Sequence, residues 1–214
     1  MEDLPSSSLD EATQRDLLAG ISTLLLSASR WPESSGTAGG TESTRVPDRE
    51  VRVSVTRWKV GHHLFHLLLS IMNKHSDDAL AALREEDWHS ATSNIADLAS
   101  LLDSATAAMH YASDFPRESY EGIIRPSMEP PWMPSGFSGI FNQDHQIFES
   151  NLRELRKVSR PLNTTGECRS ALKQLWRAQS KNRRDHRKIC EKFVPGGDSI
   201  LQQHFAKNNE KDSD

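Results

Sequence analysis

Apolar residues recur at spacings of three and four along most of this chain, a period that predicts helices rather than strands. Leu17, Leu18, Ile21, Leu24 and Leu25 mark an amphipathic helix over residues 9–28, with Asp10 or a neighbouring Ser placed to cap it. Residues 29–49, rich in Ser, Gly, Thr and Pro around Gly36-Thr37-Ala38-Gly39-Gly40, read as a flexible linker. Val51, Val53 and Val55 alternate with polar residues, which is the period of a short strand, although nothing later offers that strand a partner. Helical spacing returns over 57–75, through Trp58, Val60, Phe65, Leu68, Leu69, Ile71 and Met72, and a short helix follows over 77–86. A long helix spans roughly 88–113 on Ile95, Leu98, Leu101, Leu102, Ala105 and Met109, and its many alanines and serines permit close approach of neighbours.

Asp114-Phe115-Pro116 ends that helix. The stretch 124–139 carries Pro126, Pro130, Pro131 and Pro134 with Gly136 and Gly139, which argues against a helix there and for an ordered loop of the kind that lines a site. Helical spacing resumes over 140–158 through Phe141, His145, Phe148, Leu152 and Leu155, which places His145 on the inward face. A last long helix runs from about 167 to 193 and stops at Pro195-Gly196-Gly197. The expectation is an all-α chain: an N-terminal helix and linker over 1–50, a helical domain over 51–206, and a disordered polar tail over 207–214.

At 214 residues with 36% hydrophobic and 26% charged positions, the chain suits one sizeable helical domain with an appendage. A net charge of -4 gives no reason to expect nucleic acid or an anionic membrane as partner. The apolar run Leu17 to Leu26 follows Glu2, Asp3, Asp10, Glu11 and Asp16 against only Arg15, the wrong sign for a secretory leader, and no run approaches bilayer length. Two cysteines make no disulfide framework, so a cytoplasmic setting is expected. Phosphate-cradling glycine loops, serine-nucleophile elbows and carboxylate pairs do not stand out.

The chemistry therefore rests on histidine. His62, His63 and His66 share the 57–75 helix with many apolar residues, which makes it look largely buried and suggests a polar pocket. Near the C-terminus, His186 and Cys190 stand four residues apart, one helical turn, so imidazole and thiol share a face. Three readings fit this pair: a small buried hydrophobe beside a surface histidine, a zinc pair, or an iron ligand beside a haem-attachment thiol. The basic run from Arg177 to Lys188, with Arg183 and Arg187, is either a solvated face or a partner for haem propionates.

The order of these motifs resembles the histidine-ligated haem-dependent aromatic oxygenases, the superfamily of tryptophan 2,3-dioxygenase and the haem tyrosine hydroxylases. Gly61-His62-His63-Leu64-Phe65-His66-Leu67 is similar to the dioxygenase pattern His-Gln-x-Tyr-Glu-Leu, with His62 on the distal histidine. Arg125-Pro126-Ser127 and Ser135-Gly136-Phe137-Ser138-Gly139 resemble the Ser-Gly-Phe-Gln-Ser loop. Trp176, His186 and Pro195-Gly196-Gly197-Asp198-Ser199 stand where that family has its proximal histidine and Gly- and Ser-rich turn. His145 followed later by His186-x-x-x-Cys190 is similar to a pattern of the 3-methyltyrosine hydroxylases.

The resemblance, over roughly 57–201, implies a helical bundle around a haem. It makes His186 the iron ligand, Cys190 a single thioether to a c-type haem, and His145 a second haem-facing ligand, with Arg183 and Arg187 at the propionates. His62 and His63 are the implied acid–base groups, and Ser135, Phe137, Ser138 and Arg125 the substrate contacts. One departure is Gln143, where the dioxygenases carry the arginine for the substrate carboxylate, so Arg125 or Arg153 has to substitute. The function implied is hydroxylation of tyrosine or an analogue to a catechol by peroxide or dioxygen, in specialised-metabolite biosynthesis. The alternatives are an indole-ring haem oxygenase and a non-catalytic bis-histidine haem sensor or carrier. Dimerisation through the N-terminal helix is a further expectation.

Overall fold

The structure, a computed structural model, describes residues 7–28, 49–132, 142–160, 164 and 166–195. Every regular element among them is helical. They are α1 (Glu11–Ala28), α2 (Arg49–Arg84), α3 (Trp88–Ala112), the short α4 (Arg117–Ser119), a π-helical turn (Tyr120–Ile124), α5 (Arg125–Ser127), α6 (Gln143–Ser159) and α7 (Gly166–Phe193). None of the helices is long and apolar enough to cross a membrane.

The strand expected at Val51–Val55 is instead the first turns of α2, a 36-residue helix that also absorbs the separate element expected at 77–86. Its buried positions explain this. Ser54, Arg57, Gly61, Leu64, Leu68, Met72, Ala79 and Leu83 fall on one stripe at helical spacing. The first three are not apolar, so the valines gave the louder signal, while packing of Arg57 against the chain beyond α3 fixed the helix.

α3 is the centre of the bundle, with α2, α7 and α1 around it. α2 turns back onto α3 through Glu85-Glu86-Asp87; Glu86 takes a left-handed φ of 56°, and the Asp87 carboxylate caps α3 by accepting the Ser90 N–H at 3.1 Å. Small residues on α3 let its neighbours come close, as its composition suggested: Gly61 of α2 lies on Ala112, and Gly20 of α1 on Ser104. Leu17, Leu68, Leu69, Met72, Leu83, Ile95, Leu98, Leu152, Leu155 and Leu175 are completely buried at these contacts. Each such side chain contributes about 1.5–3 kcal/mol relative to exposure.

α6 lies along α2, where Asn73 Nδ2 donates to the Asp144 carbonyl at 3.0 Å and Asn151 reaches Ser76 and Asp77 at 2.8 Å. It runs antiparallel to α7, which it meets through side chains: Arg183 pairs with Glu149 at 3.0 Å and the Arg156 guanidinium covers the Trp176 ring at 4.2 Å. The stretch 124–139, expected to exclude a helix, is helical at its start, where Ile124 to Ser127 completes a coil that begins at Arg117. Pro126 falls where the π turn gives way to α5. The linker at 29–49 lies almost wholly outside the described residues, as does the tail at 207–214.

Candidate functional site

The last two turns of α7 carry His186, Cys190 and Phe193 at spacings of four and three, one stripe of the helix. The Cys190 Sγ lies 3.7 Å from the His186 Nε2. His186 does not point into the bundle as expected. At this turn the buried residue is Asp185, which lies 3.3 Å from the His110 Nε2 on α3 and 3.4 Å from the Arg184 Nε. Burial works to raise the Asp185 pKa, but His110 and Arg184 hold it below the ordinary carboxylate value. With Asp185 anchored inward, its neighbour turns to the solvent side, so His186 is exposed, and so is Cys190. The cysteine that behaves as a small buried hydrophobe is Cys168.

Exposure to solvent does not isolate the His186 ring. Surrounding protein lowers its pKa, and so does the positive charge of His145 from α6. His145, half-buried at the start of α6, receives the Asn142 cap on its N–H at 2.9 Å. The helix's buried stripe is Phe148, Leu152 and Leu155, so His145 sits at the edge of the apolar face rather than inside it.

Phe193 joins this stripe to a second, smaller apolar cluster. Its ring stacks between Phe115, at 5.1 Å, and Tyr120, at 4.7 Å. Ile189, Trp58 and Met128 pack on the same cluster. Tyr120 opens the π-helical turn and is half-buried; burial raises its pKa, Arg125 lowers it, and Cys190 and Glu129 raise it further. The phenol thus stands within electrostatic reach of both Arg125 and Cys190. Arg125 itself pairs with Glu129 at 3.6 Å. Tyr120 was not marked as a candidate from the sequence; its signal is only visible once the π turn places it over Phe193.

On α2, His62, His63 and His66 lie on the exposed face and not in a buried pocket, because the core stripe of that helix passes through Gly61, Leu64 and Leu68. His62 still belongs to the site's surroundings. Its ring lies 4.9 Å from that of Trp58, and its Nδ1 is 2.6 Å from the Trp58 carbonyl oxygen. A carbonyl only accepts, so Nδ1 carries the proton and Nε2 keeps its lone pair. Desolvation by the surrounding protein lowers the His62 pKa, the bond to the Trp58 carbonyl raises it, and His66 and His63 lower it again.

The structure therefore pairs His186 with Cys190, leaves His145 and Tyr120 within electrostatic reach of that pair, and places His62 on a tryptophan of the adjoining cluster. Arg183 is engaged with Glu149, and Arg187 is exposed on α7. Ser135, Phe137 and Ser138 lie outside the described residues. Among the described residues no group of three or more His, Cys, Asp or Glu side chains is arranged as a ready metal cage. An imidazole and a thiol one helical turn apart on an exposed face are each able to act as a ligand or an attachment point.

Comparison with known families then places the chain. A family model described as SfmD 3-methyl-L-tyrosine peroxygenase matches residues 1–175. The chain belongs to this family. It is also 30% identical over 145 residues to a 3-methyl-L-tyrosine peroxygenase of Streptomyces lavendulae, covering 66% of this chain and 38% of that protein. No solved structure matches. The family match includes His62, His63, Tyr120, Arg125 and His145 and ends before His186 and Cys190.

Proposed function

We propose that this chain binds haem and hydroxylates the ring of tyrosine or a close analogue ortho to the phenol, giving a catechol, with peroxide as oxidant. The observation that carries the reading is the match of residues 1–175 to a tyrosine peroxygenase family, and the shared α7 face of His186 and Cys190 supplies the groups it calls for. In this reading His186 would hold the iron, Cys190 would be the covalent attachment point, and Arg183 and Arg187 would meet the propionates. The finer kinship with the tryptophan 2,3-dioxygenase superfamily belongs to the same proposal. Bound there, haem supplies the oxygen-transfer chemistry.

The remaining work falls to the chain's own side chains. A lowered pKa keeps His186 neutral, the form that ligates metal. His62, with Nδ1 held by the Trp58 carbonyl, takes or returns a proton at Nε2, and His63 beside it serves the same traffic. Arg125, half-buried near the Tyr120 phenol, receives the substrate carboxylate by exchanging it for Glu129, which replaces the arginine that Gln143 does not supply. Ser135, Phe137 and Ser138 orient the aromatic ring.

Purified protein expressed with haem supplied should show a Soret band that survives acid-acetone extraction in wild type and not in Cys190→Ala. It should lose haem in His186→Ala and form a catechol from 3-methyltyrosine with peroxide. Failure to take up haem stoichiometrically would sink the reading. The electrostatic influence of His145 on His186 favours a second reading, a bis-histidine haem carrier. That reading requires a six-coordinate spectrum unmoved by tyrosine analogues or peroxide. Turnover of tryptophan in place of phenols would shift the assignment to indole oxygenation.

A further inference from the structure

We infer that His186 and Cys190 form a two-ligand chelate for a thiophilic divalent cation of the zinc class in the haem-free chain. A distance carries the inference. A tetrahedral zinc ion holds an imidazole nitrogen at about 2.0–2.1 Å and a thiolate sulfur at about 2.3 Å, which sets the two donor atoms about 3.5 Å apart. The Cys190 Sγ and the His186 Nε2 stand 3.7 Å apart. The pair therefore meets the bite of such an ion with almost no movement of either side chain.

The helix holds the donors in place. Both lie within α7 and share one face of it, one turn apart. The turns on either side are fixed by contacts with the rest of the bundle. Asp185 stands 3.3 Å from the His110 ring, Lys192 donates to the Ser113 carbonyl at 2.8 Å, and Phe193 stacks on Phe115 and Tyr120. A single ion needs no enclosing cavity, and on an exposed face water fills its remaining positions. On binding, the Cys190 S–H bond breaks and its proton passes to solvent. Sulfur and neutral imidazole each give a lone pair to the metal, and nothing is oxidised or reduced. The inference does not rest on the function proposed above. A thiolate that holds an ion is not available for a thioether, so ion binding and haem attachment exclude each other at Cys190.

The experiment uses the full chain, reduced, haem-free and stripped of metal with a chelator. It is titrated with Co2+, whose bond to a thiolate gives a charge-transfer band in the near ultraviolet, and then with Zn2+. The expected result is one equivalent of Co2+ with that band, bleaching of the band by Zn2+, release of one proton per ion, and protection of Cys190 from iodoacetamide. Cys190→Ser should lose the band and His186→Gln should weaken binding; both positions are exposed, and melting curves check that the variants fold. Cys168→Ala removes the other thiol, buried near the opposite end of α7, and should keep the band. Absence of the band, or its survival in Cys190→Ser, overturns the inference. So does full affinity in His186→Gln, which reduces the site to one thiol. An ion that binds without a thiolate band sits on histidines elsewhere and overturns it as well. None of these outcomes bears on haem uptake, which the Soret band of haem-supplied protein reports separately.

Discussion

Gly61 on α2 faces Ala112 on α3 so closely that a Cβ added to the glycine would stand 2.5 Å from the Ala112 Cβ and 2.7 Å from its Cα. The second of these is backbone, so no rotamer change relieves the contact. In an open helix, Gly→Ala stabilises by roughly 0.5–1 kcal/mol. Here overpacking, at about 1–3 kcal/mol, outweighs that gain. Gly61→Ala should therefore lower the urea midpoint, and Ala112→Gly should restore part of the loss in the double variant. Equal or higher stability of Gly61→Ala alone would show that the two helices are not in contact here.

Arg57 and Asp114 form a second tie between α2 and the end of α3, with the Arg57 Nη1 2.8 Å from the carboxylate and 2.7 Å from the Asp114 carbonyl. Both side chains are nearly excluded from water, at 8% and 11% exposure. The same carboxylate accepts the Ser8 N–H at 2.9 Å and the Ser8 hydroxyl, so it also ties down the chain leading into α1. Removing one partner of a buried pair leaves the other charge uncompensated, at about 3–5 kcal/mol. Asp114→Ala should show a loss of that order by denaturant titration, with faster hydrogen exchange in the first turn of α1. A loss below about 1 kcal/mol would place the pair in the surface class.

These two contacts show which parts of the fold could be read from sequence. The boundaries of α1, α3, α6 and α7 were legible because their apolar residues repeat at helical spacing. The start of α2 was not, since its inward residues are Ser54, Arg57 and Gly61, whose burial depends on Asp114 and Ala112 far along the chain. The site divides in the same way. The His186 and Cys190 pair is local, and one helical turn was enough to bring it together. Which way the pair faces was decided by Asp185 and His110, a tertiary contact that helical spacing cannot foresee. Tyr120 was invisible for a related reason, because nothing in the sequence between Pro116 and Pro126 marks a π turn.

The two thiols should separate cleanly on alkylation. Cys190 is exposed and Cys168 buried, and the protein packed around each thiol raises its pKa. Iodoacetamide on the native, haem-free protein should label Cys190 alone, slowly at neutral pH and faster as the solution passes the ordinary thiol range, because the thiolate is the nucleophile. Cys168 should react only after unfolding. Rapid labelling of Cys190 at pH 7 would show that a cation lowers its pKa, contrary to this environment.

His62 should leave a signature in stability against pH. Desolvation, opposed by the hydrogen bond to the Trp58 carbonyl and aided by His66 and His63, puts its folded pKa below the unfolded value of about 6.5. Above that pH both states are neutral, and the residue contributes no pH dependence. As the pH falls below it, the unfolded chain binds a proton that the native ring resists, so native stability drops until the folded pKa is passed. The sign is opposite to that of a histidine paired with a carboxylate. The difference in unfolding free energy between wild type and His62→Gln should therefore be flat above pH 7 and move against wild type from about pH 6.5 downward. An NMR titration of the His62 ring gives the folded value directly. A midpoint at or above that of an unfolded histidine would remove both this pH dependence and the neutral Nε2 on which its role in proton transfer depends.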